Sequence, residues 1–334
     1  MTDQVRPESR VTTIDALRGL ASLAVCWFHF THGNPAFLSD GILKQSGNSL
    51  WAGVELFFVI SGFVIPYSLF KAKYTIGNFH IFCWKRILRL DPPYLIVVVL
   101  IILLDWLSRQ VPGFSGDPFQ FSLPQALAHL GYLNFIFGYS WYNPVFWTLA
   151  IEFQYYLLMG IAFPLLAHSN RLVRLLSLTI LAAIAFVVPG DKWIFFYLLF
   201  FLNGIVTFMY KVKLIGRMEY LGSLVVLFVA TCLLNGVWLA VLGTVAALLI
   251  AFVEIKFRWL VWVGAFSYSL YLLHVPIGGR VVNLALRFHR NELINFLVVL
   301  GALTASCGAA IFLYYFVEKP SQRLSSAVRY RPEK

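Results

Sequence analysis

Charged residues are scarce: Asp, Glu, Lys and Arg make up 12% of the 334 residues, where a soluble domain carries about a quarter. So few charges cannot cover a globular surface, which excludes an ordinary soluble domain. Cysteine is also sparse. Cys26, Cys83, Cys232 and Cys307 are scattered with no C-x-x-C pair, which argues against a disulfide framework and against a zinc site. No G-x-S-x-G nucleophile elbow, P-loop or metal-ligand spacing occurs. Serine-hydrolase and metal mechanisms therefore have no support, and no metal is expected. Internal repeats and low-complexity tracts are missing, and no small-residue cleavage pattern follows the first apolar stretch, so that stretch reads as an anchor rather than a cleaved leader.

What is present is apolar: 60% of the chain, with a mean hydropathy of +0.78. Apolar windows of about 17 to 25 residues predict an all-α polytopic membrane protein with about ten spans. They fall near 12–32, 50–70, 92–110, 144–168, 172–189, 192–210, 218–235, 237–254, 260–280 and 292–316. Together they form one bundle filling a single domain, 1–334, with tails at 1–11 and 317–334. The net charge of +11 would suit a nucleic-acid binder, but the basic residues sit in short clusters between apolar segments, as topology signals against membrane lipids do. They crowd alternate connections: Lys71 to Arg89, Arg171 and Arg174, Lys211 to Arg217, Lys256 and Arg258, and both tails with Arg6, Arg331 and Lys334. The opposite set holds Lys44, Arg109, Lys192, Arg280, Arg287 and Arg290. The positive-inside rule then places both termini in the cytoplasm. The longest outer connection, Ser108 to Asn143, contains an apolar piece, Ala126 to Phe137, too short to span, and it reads as a re-entrant or interfacial helix.

The segment Ile14 to His32 carries Arg18 and His29 inside a span-length helix. Ionisable groups at membrane depth cost a few kcal/mol, about 2.5 to 3.5 for Arg, and are functional by default. Eleven positions are almost three turns, so the two share a face about 16 Å apart along the axis. The alternative is that Arg18 snorkels to the interface and His29 lies among headgroups. Estimated depths bring Glu55, Glu152 and His274 to the level of His29, where a carboxylate beside an imidazole would suit a general base. Glu55 and Glu152 would otherwise cap outer helix ends. On the inner side, His80 to Tyr94 reads as an amphipathic interfacial helix that ends where Pro92 and Pro93 begin the third span. Its Lys85, Arg86 and Arg89 suit a phosphorylated ligand, or simply anionic lipid. Ser61 and Gly62 allow close helix packing.

These residues carry a resemblance. The R-x10-H pair of Arg18 and His29, GVELFFVISGF at 53–63, FCWKRILRLDPPY at 82–94, WTLAIEFQYYL at 147–157, FSYSLYLLH at 266–274 and VEKP at 317–320 resemble the membrane acyltransferase-3 family over nearly the whole chain. Glu55 stands where that family often has Asp. The family O-acetylates bacterial surface polysaccharides and related glycans, so the resemblance implies an acetyl-CoA-dependent O-acyltransferase of the bacterial inner membrane. The acceptor would be a surface or exopolysaccharide sugar or its lipid-linked precursor. Some members carry an appended esterase-like domain; none is seen here, so the bundle itself is expected to modify the acceptor. The implied roles put the anionic end of acetyl-CoA among Arg18, Lys85, Arg86 and Arg89. His29 would be the general base, oriented by Glu152 or Glu55, or would form a transient acyl-imidazole. Trp147, Tyr142 and Tyr139 would stack on sugar faces. The competing class is a proton-coupled transporter, since buried His and Glu on several helices also describe a proton relay.

Overall fold

A computed structural model describes residues 8–110, 121–188 and 190–330. Arg6, Arg331 and Lys334, used in the orientation argument, and 111–120 in the long outer connection lie outside them. Among the described residues there is no strand. The helices are α1 Glu8–His32, a short α2 Ile42–Gln45, α3 Gly53–Lys71, α4 Phe79–Ser108, α5 Leu123–His129, α6 Trp147–Leu166, α7 Arg171–Val187 and α8 Ile194–Lys211. After them come α9 Arg217–Asn235, α10 Val237–Phe252, α11 Arg258–Ala265, α12 Ser267–Leu273, α13 Gly279–Ala285, α14 Glu292–Leu313 and α15 Lys319–Ala327. Two π-helical turns, His274–Gly278 and Tyr314–Glu318, join α12 to α13 and α14 to α15.

A helix occupies each of the ten expected windows. Among the described residues six are long and apolar enough to cross a membrane, or seven if α11 and the α12–α13 stretch, bent by 62°, form one span. The rest fall short for visible reasons. The α7 and α10 helices have 17 and 16 residues, about 25 Å against a hydrocarbon core of about 30 Å. The α1 helix is long enough but interrupts its apolar run with Asp15, Arg18, His29 and His32.

The structure corrects two boundaries. The expected interfacial helix and third span are one continuous helix, α4, with Pro92 and Pro93 inside it. The prolines deprive the Leu88 and Arg89 carbonyls of their intrahelical donors, and the bundle supports this stretch from outside, the Tyr268 hydroxyl donating to the neighbouring Leu90 carbonyl at 2.9 Å. The segment from 317 is not a free tail. The α15 helix packs along α4, where Ser325 Oγ donates to the Lys85 carbonyl at 2.7 Å.

The Ala126–Phe137 segment dips into the bundle. Tyr132, buried and at φ +57°, stacks on Tyr94 and Phe153 at 5.0 and 5.3 Å. Its hydroxyl donates to Asp91 at 2.8 Å, seventeen residues before the Ser108 end of α4, or about 25 Å along the axis. That depth fits a re-entrant segment rather than one resting on the rim.

The α3 and α8 helices cross in close backbone contact. A Cβ on Gly62 would lie 2.2 Å from the Phe201 carbonyl oxygen, and one on Gly204 would lie 2.2 Å from that of Val59. Backbone, not flexible side chain, blocks both. Small residues at such crossings let membrane helices gain dispersion contacts that lipid cannot offer. Gly204→Val is expected to push the helices apart at a cost of about 3 kcal/mol. Detergent size-exclusion profiles should show lost folded protein, and an unchanged monodisperse peak and melting temperature would refute the close-contact argument.

Candidate active site

One cavity brings together much of what the sequence singled out. Arg18, Arg86, Arg89, Glu152, Tyr156 and Glu318 line it, and the volume open to the centre of a water molecule is about 80 Å³. Arg18 Nε donates to Ser267 Oγ at 3.2 Å. Arg86 is buried and donates to Ser68 Oγ at 3.1 Å. Its guanidinium lies over the Phe82 and Tyr156 rings at 5.1 and 5.4 Å, while its Nε is buried without a partner. Arg89 makes no hydrogen bond among the described residues. None of the three has a carboxylate oxygen within 4.0 Å among the described residues. Removing a charge from water without pairing it is expensive. Three guanidinium groups without a direct ion pair in one cavity suit an anionic ligand.

The acidic groups here are engaged elsewhere. Glu152 accepts from Ser61 Oγ at 3.2 Å and from the Tyr156 hydroxyl one turn further along α6. Glu318, buried, accepts from Ser269 through its backbone N–H at 3.1 Å and its hydroxyl at 2.5 Å, and from Gln322 at 2.9 Å. Sequence reasoning missed Glu318, Tyr156 and this role of Ser61. Glu318 stood in the VEKP motif but was counted as tail; Tyr156 follows Glu152 by the four residues that make helix neighbours.

The expected grouping of His29, Glu55, Glu152 and His274 divides. His29 Nδ1 lies 3.2 Å from His274 Nε2 and 2.9 Å from the Val25 carbonyl, and neither Glu55 nor Glu152 hydrogen-bonds to it. The α6 helix brings Glu152 to Ser61 of α3 instead. Glu55 is buried at the start of α3, with Oε2 unpartnered. His274 is therefore the partner in place of the expected carboxylate. The cavity approaches this pair at Tyr271, whose ring is 5.7 Å from that of His274 and whose hydroxyl meets Thr148 Oγ1 at 2.7 Å.

Lys85 does not line the cavity. Its ammonium donates to the Ser325 and Val328 carbonyls at 2.8 and 2.5 Å, closing the end of α15. Lys85→Ala is thus expected to loosen the C-terminal helix while leaving affinity for acetyl-CoA, the donor that the resemblance implies, within about twofold, the scale of substitutions outside a site. Titration calorimetry and limited proteolysis together read this out; a tenfold loss of affinity would return Lys85 to the anion site.

A second pocket, of about 610 Å³ on the same measure, lies across α6. Tyr139, Trp141, Trp147 and Tyr197 line it with Asp191 and Lys192. The α6 helix is the shared wall: Trp147 and Ile151 face this pocket, Thr148 and Glu152 the inner cavity. Gln154 pins the far corner, accepting from Ile194 N at 2.9 Å and donating to the Lys192 carbonyl at 3.3 Å. Aromatic faces flanked by a carboxylate and an ammonium suit a ring bearing hydroxyls. Tyr142 is not part of it. It stacks on buried His129 at 4.5 Å, whose imidazole is held below its ordinary pKa by burial and accepts from the Tyr142 N–H at 3.3 Å.

Comparison with known proteins gives a consistent picture. The family model described as an acyltransferase domain matches residues 11–315. The proteins called O-acetyltransferase OatA from Staphylococcus aureus strains NCTC 8325 / PS 47, COL and MRSA252 are each 28% identical over 207 residues, covering 55% of this chain. The match takes in 31% of the length of these curated relatives. No solved structure matches the chain.

Proposed function

Since this chain belongs to the acyltransferase-3 family, whose domain covers residues 11–315, we propose that it moves an acetyl group from cytoplasmic acetyl-CoA to a sugar hydroxyl. The acceptor is a surface polysaccharide or exopolysaccharide, or its lipid-linked precursor. The chain works in the bacterial inner membrane with both termini in the cytoplasm. The observation that carries this reading is the trio of Arg18, Arg86 and Arg89 facing one cavity without carboxylate partners. Such forks hold phosphate oxygens through charge-assisted hydrogen bonds. A coenzyme A phosphate group held there leaves the pantetheine arm to run along α1, which separates Arg18 from His29 by about 16 Å.

The aromatic pocket on the other face of α6 holds a neighbouring ring of the acceptor chain against Trp147 and Tyr139, beside Asp191, while the ring that reacts lies at His29. His29 Nε2, with no partner among the described residues, takes the proton as the acceptor oxygen attacks the thioester carbonyl. The tetrahedral intermediate collapses, the C–S bond breaks, and the thiolate recovers that proton from His29, leaving ester, CoA–SH and a neutral imidazole. The relatives named O-acetyltransferase OatA support the acetyl group as cargo.

The test is release of free CoA thiol by the purified protein in nanodiscs, given acetyl-CoA and polysaccharide from its own host. Mass spectrometry of surface polysaccharide from cells with and without the gene accompanies it. The expected result is acceptor-dependent thiol release and an acetyl mass increment that disappears with the gene. No release above buffer, with an unchanged polysaccharide spectrum, would end the proposal.

A further inference from the structure

The imidazole pair has a defined proton arrangement. His274 Nδ1 lies 2.7 Å from the Tyr271 carbonyl and 3.2 Å from that of Leu270. A carbonyl can only accept, so this nitrogen carries hydrogen. His29 Nδ1, 2.9 Å from the Val25 carbonyl, carries hydrogen by the same rule. These two nitrogens fix the rest. His274 Nε2, 3.2 Å from His29 Nδ1, has to present a lone pair, because a hydrogen there would face the His29 N–H. The His29 N–H is then shared between the Val25 carbonyl and His274 Nε2, and the free lone pair of His29 lies on Nε2.

The chain is built locally to hold His274 in this position. His274 is fully buried and opens the π turn His274–Gly278; such turns insert an extra residue and re-aim side chains, often at functional sites. Pro276 lacks the N–H that would bond to the Leu272 carbonyl. Asn143 Nδ2, from the loop before α6, donates to that carbonyl instead, at 3.1 Å. At the end of the turn, a Cβ on Gly278 would lie 2.4 Å from the Phe30 ring, so glycine lets the turn press against α1 beside His29.

We infer that His274 is a positioning residue, locking His29 as the Nδ1–H tautomer with Nε2 aimed at the acceptor hydroxyl. The inference rests on the reading of His29 as base. His274 does for it, as a neutral acceptor, what a carboxylate does in a Ser-His-Asp triad: it fixes the tautomer and accepts the strengthened N–H bond while His29 holds the acceptor's proton. It brings no second charge to a site removed from water.

The test compares His274→Gln with His274→Met, two unbranched side chains of similar length, of which Gln alone offers an oxygen acceptor. Gln is expected to keep kcat within about tenfold, and Met to lose about a hundredfold or more. KM for acetyl-CoA should stay unchanged in both. Nitrogen-15 spectra of histidine-labelled protein, with His29 assigned by difference from His29→Ala, are expected to show hydrogen on Nδ1 and none on Nε2. Equal kcat losses for Gln and Met would overturn the inference, and so would hydrogen on Nε2 of His29. The spectra do not depend on the reaction or on either variant folding. A wild-type protein that shows the expected tautomer but transfers no acetyl group would therefore leave the pair standing and sink the proposed function instead.

Discussion

His29→Ala is expected to lower kcat for the proposed acetyl transfer by about a thousandfold, with acetyl-CoA binding nearly as tightly as before. The magnitude is that of removing a general base, about 10² to 10⁴. The split between rate and affinity follows from geometry. The arginine-lined cavity lies at the other end of the proposed path from His29, which is not among its lining residues. A group that acts only as bonds change lowers kcat and kcat/KM together. Calorimetric titration of acetyl-CoA beside single-turnover transfer measures both halves. Loss of donor binding in His29→Ala would show that the path runs the other way.

Arg89→Ala is expected to give the opposite pattern, with affinity for the proposed donor acetyl-CoA down about ten- to hundredfold and a bound-state turnover close to normal. A hydrogen bond to a charged group contributes about 1.5 to 3 kcal/mol, which is that range of affinity. Arg89 is the cleanest probe because it has no hydrogen bond to lose among the described residues. Arg86→Ala should weaken the donor comparably but also destabilise the protein, since Arg86 stacks on Phe82 and Tyr156 and bonds to Ser68. Arg89→Lys keeps the charge without the planar fork and should fall between. Arg18→Ala will show whether that residue belongs to the phosphates or to the chemistry. Wild-type affinity in both Arg86→Ala and Arg89→Ala would remove the anion site.

The sequence made one coordinate legible and hid another. Counting residues along apolar windows gave axial depth, so helices appeared where expected and Arg18, Arg86 and Arg89 were found on one cavity. Depth says nothing about azimuth. Glu152 and His29 were placed at one level, yet Glu152 turns to Ser61 while His29 meets His274. Azimuth was least legible where the helical period breaks. The π turns at His274–Gly278 and Tyr314–Glu318 shift the facing of everything after them, and a 3.6-residue pattern does not reveal them. Glu318 was hidden for that reason and because charged residues follow it. Pro92 and Pro93 misled in the other sense: a break in hydrogen bonding was read as a break in the helix, which neighbours can hold together. Lys85 shows the limit of composition, since its charge fitted an anion site while its reach served the α15 carbonyls.

The hydroxyl contact between Tyr271 and Thr148 bears on the energy economy of the cell. A transferase that draws on one compartment and delivers to another is in danger of becoming a leak, and a water-filled passage would let protons run down the gradient that drives ATP synthesis. Tyr271, packed edge-on against Phe57 at 5.8 Å and bonded to Thr148, lines the arginine cavity on one side and meets the His274 ring on the other. On the proposed reading, the donor's arm itself fills this gap whenever the two side chains part, so no continuous file of water forms and the membrane keeps its voltage.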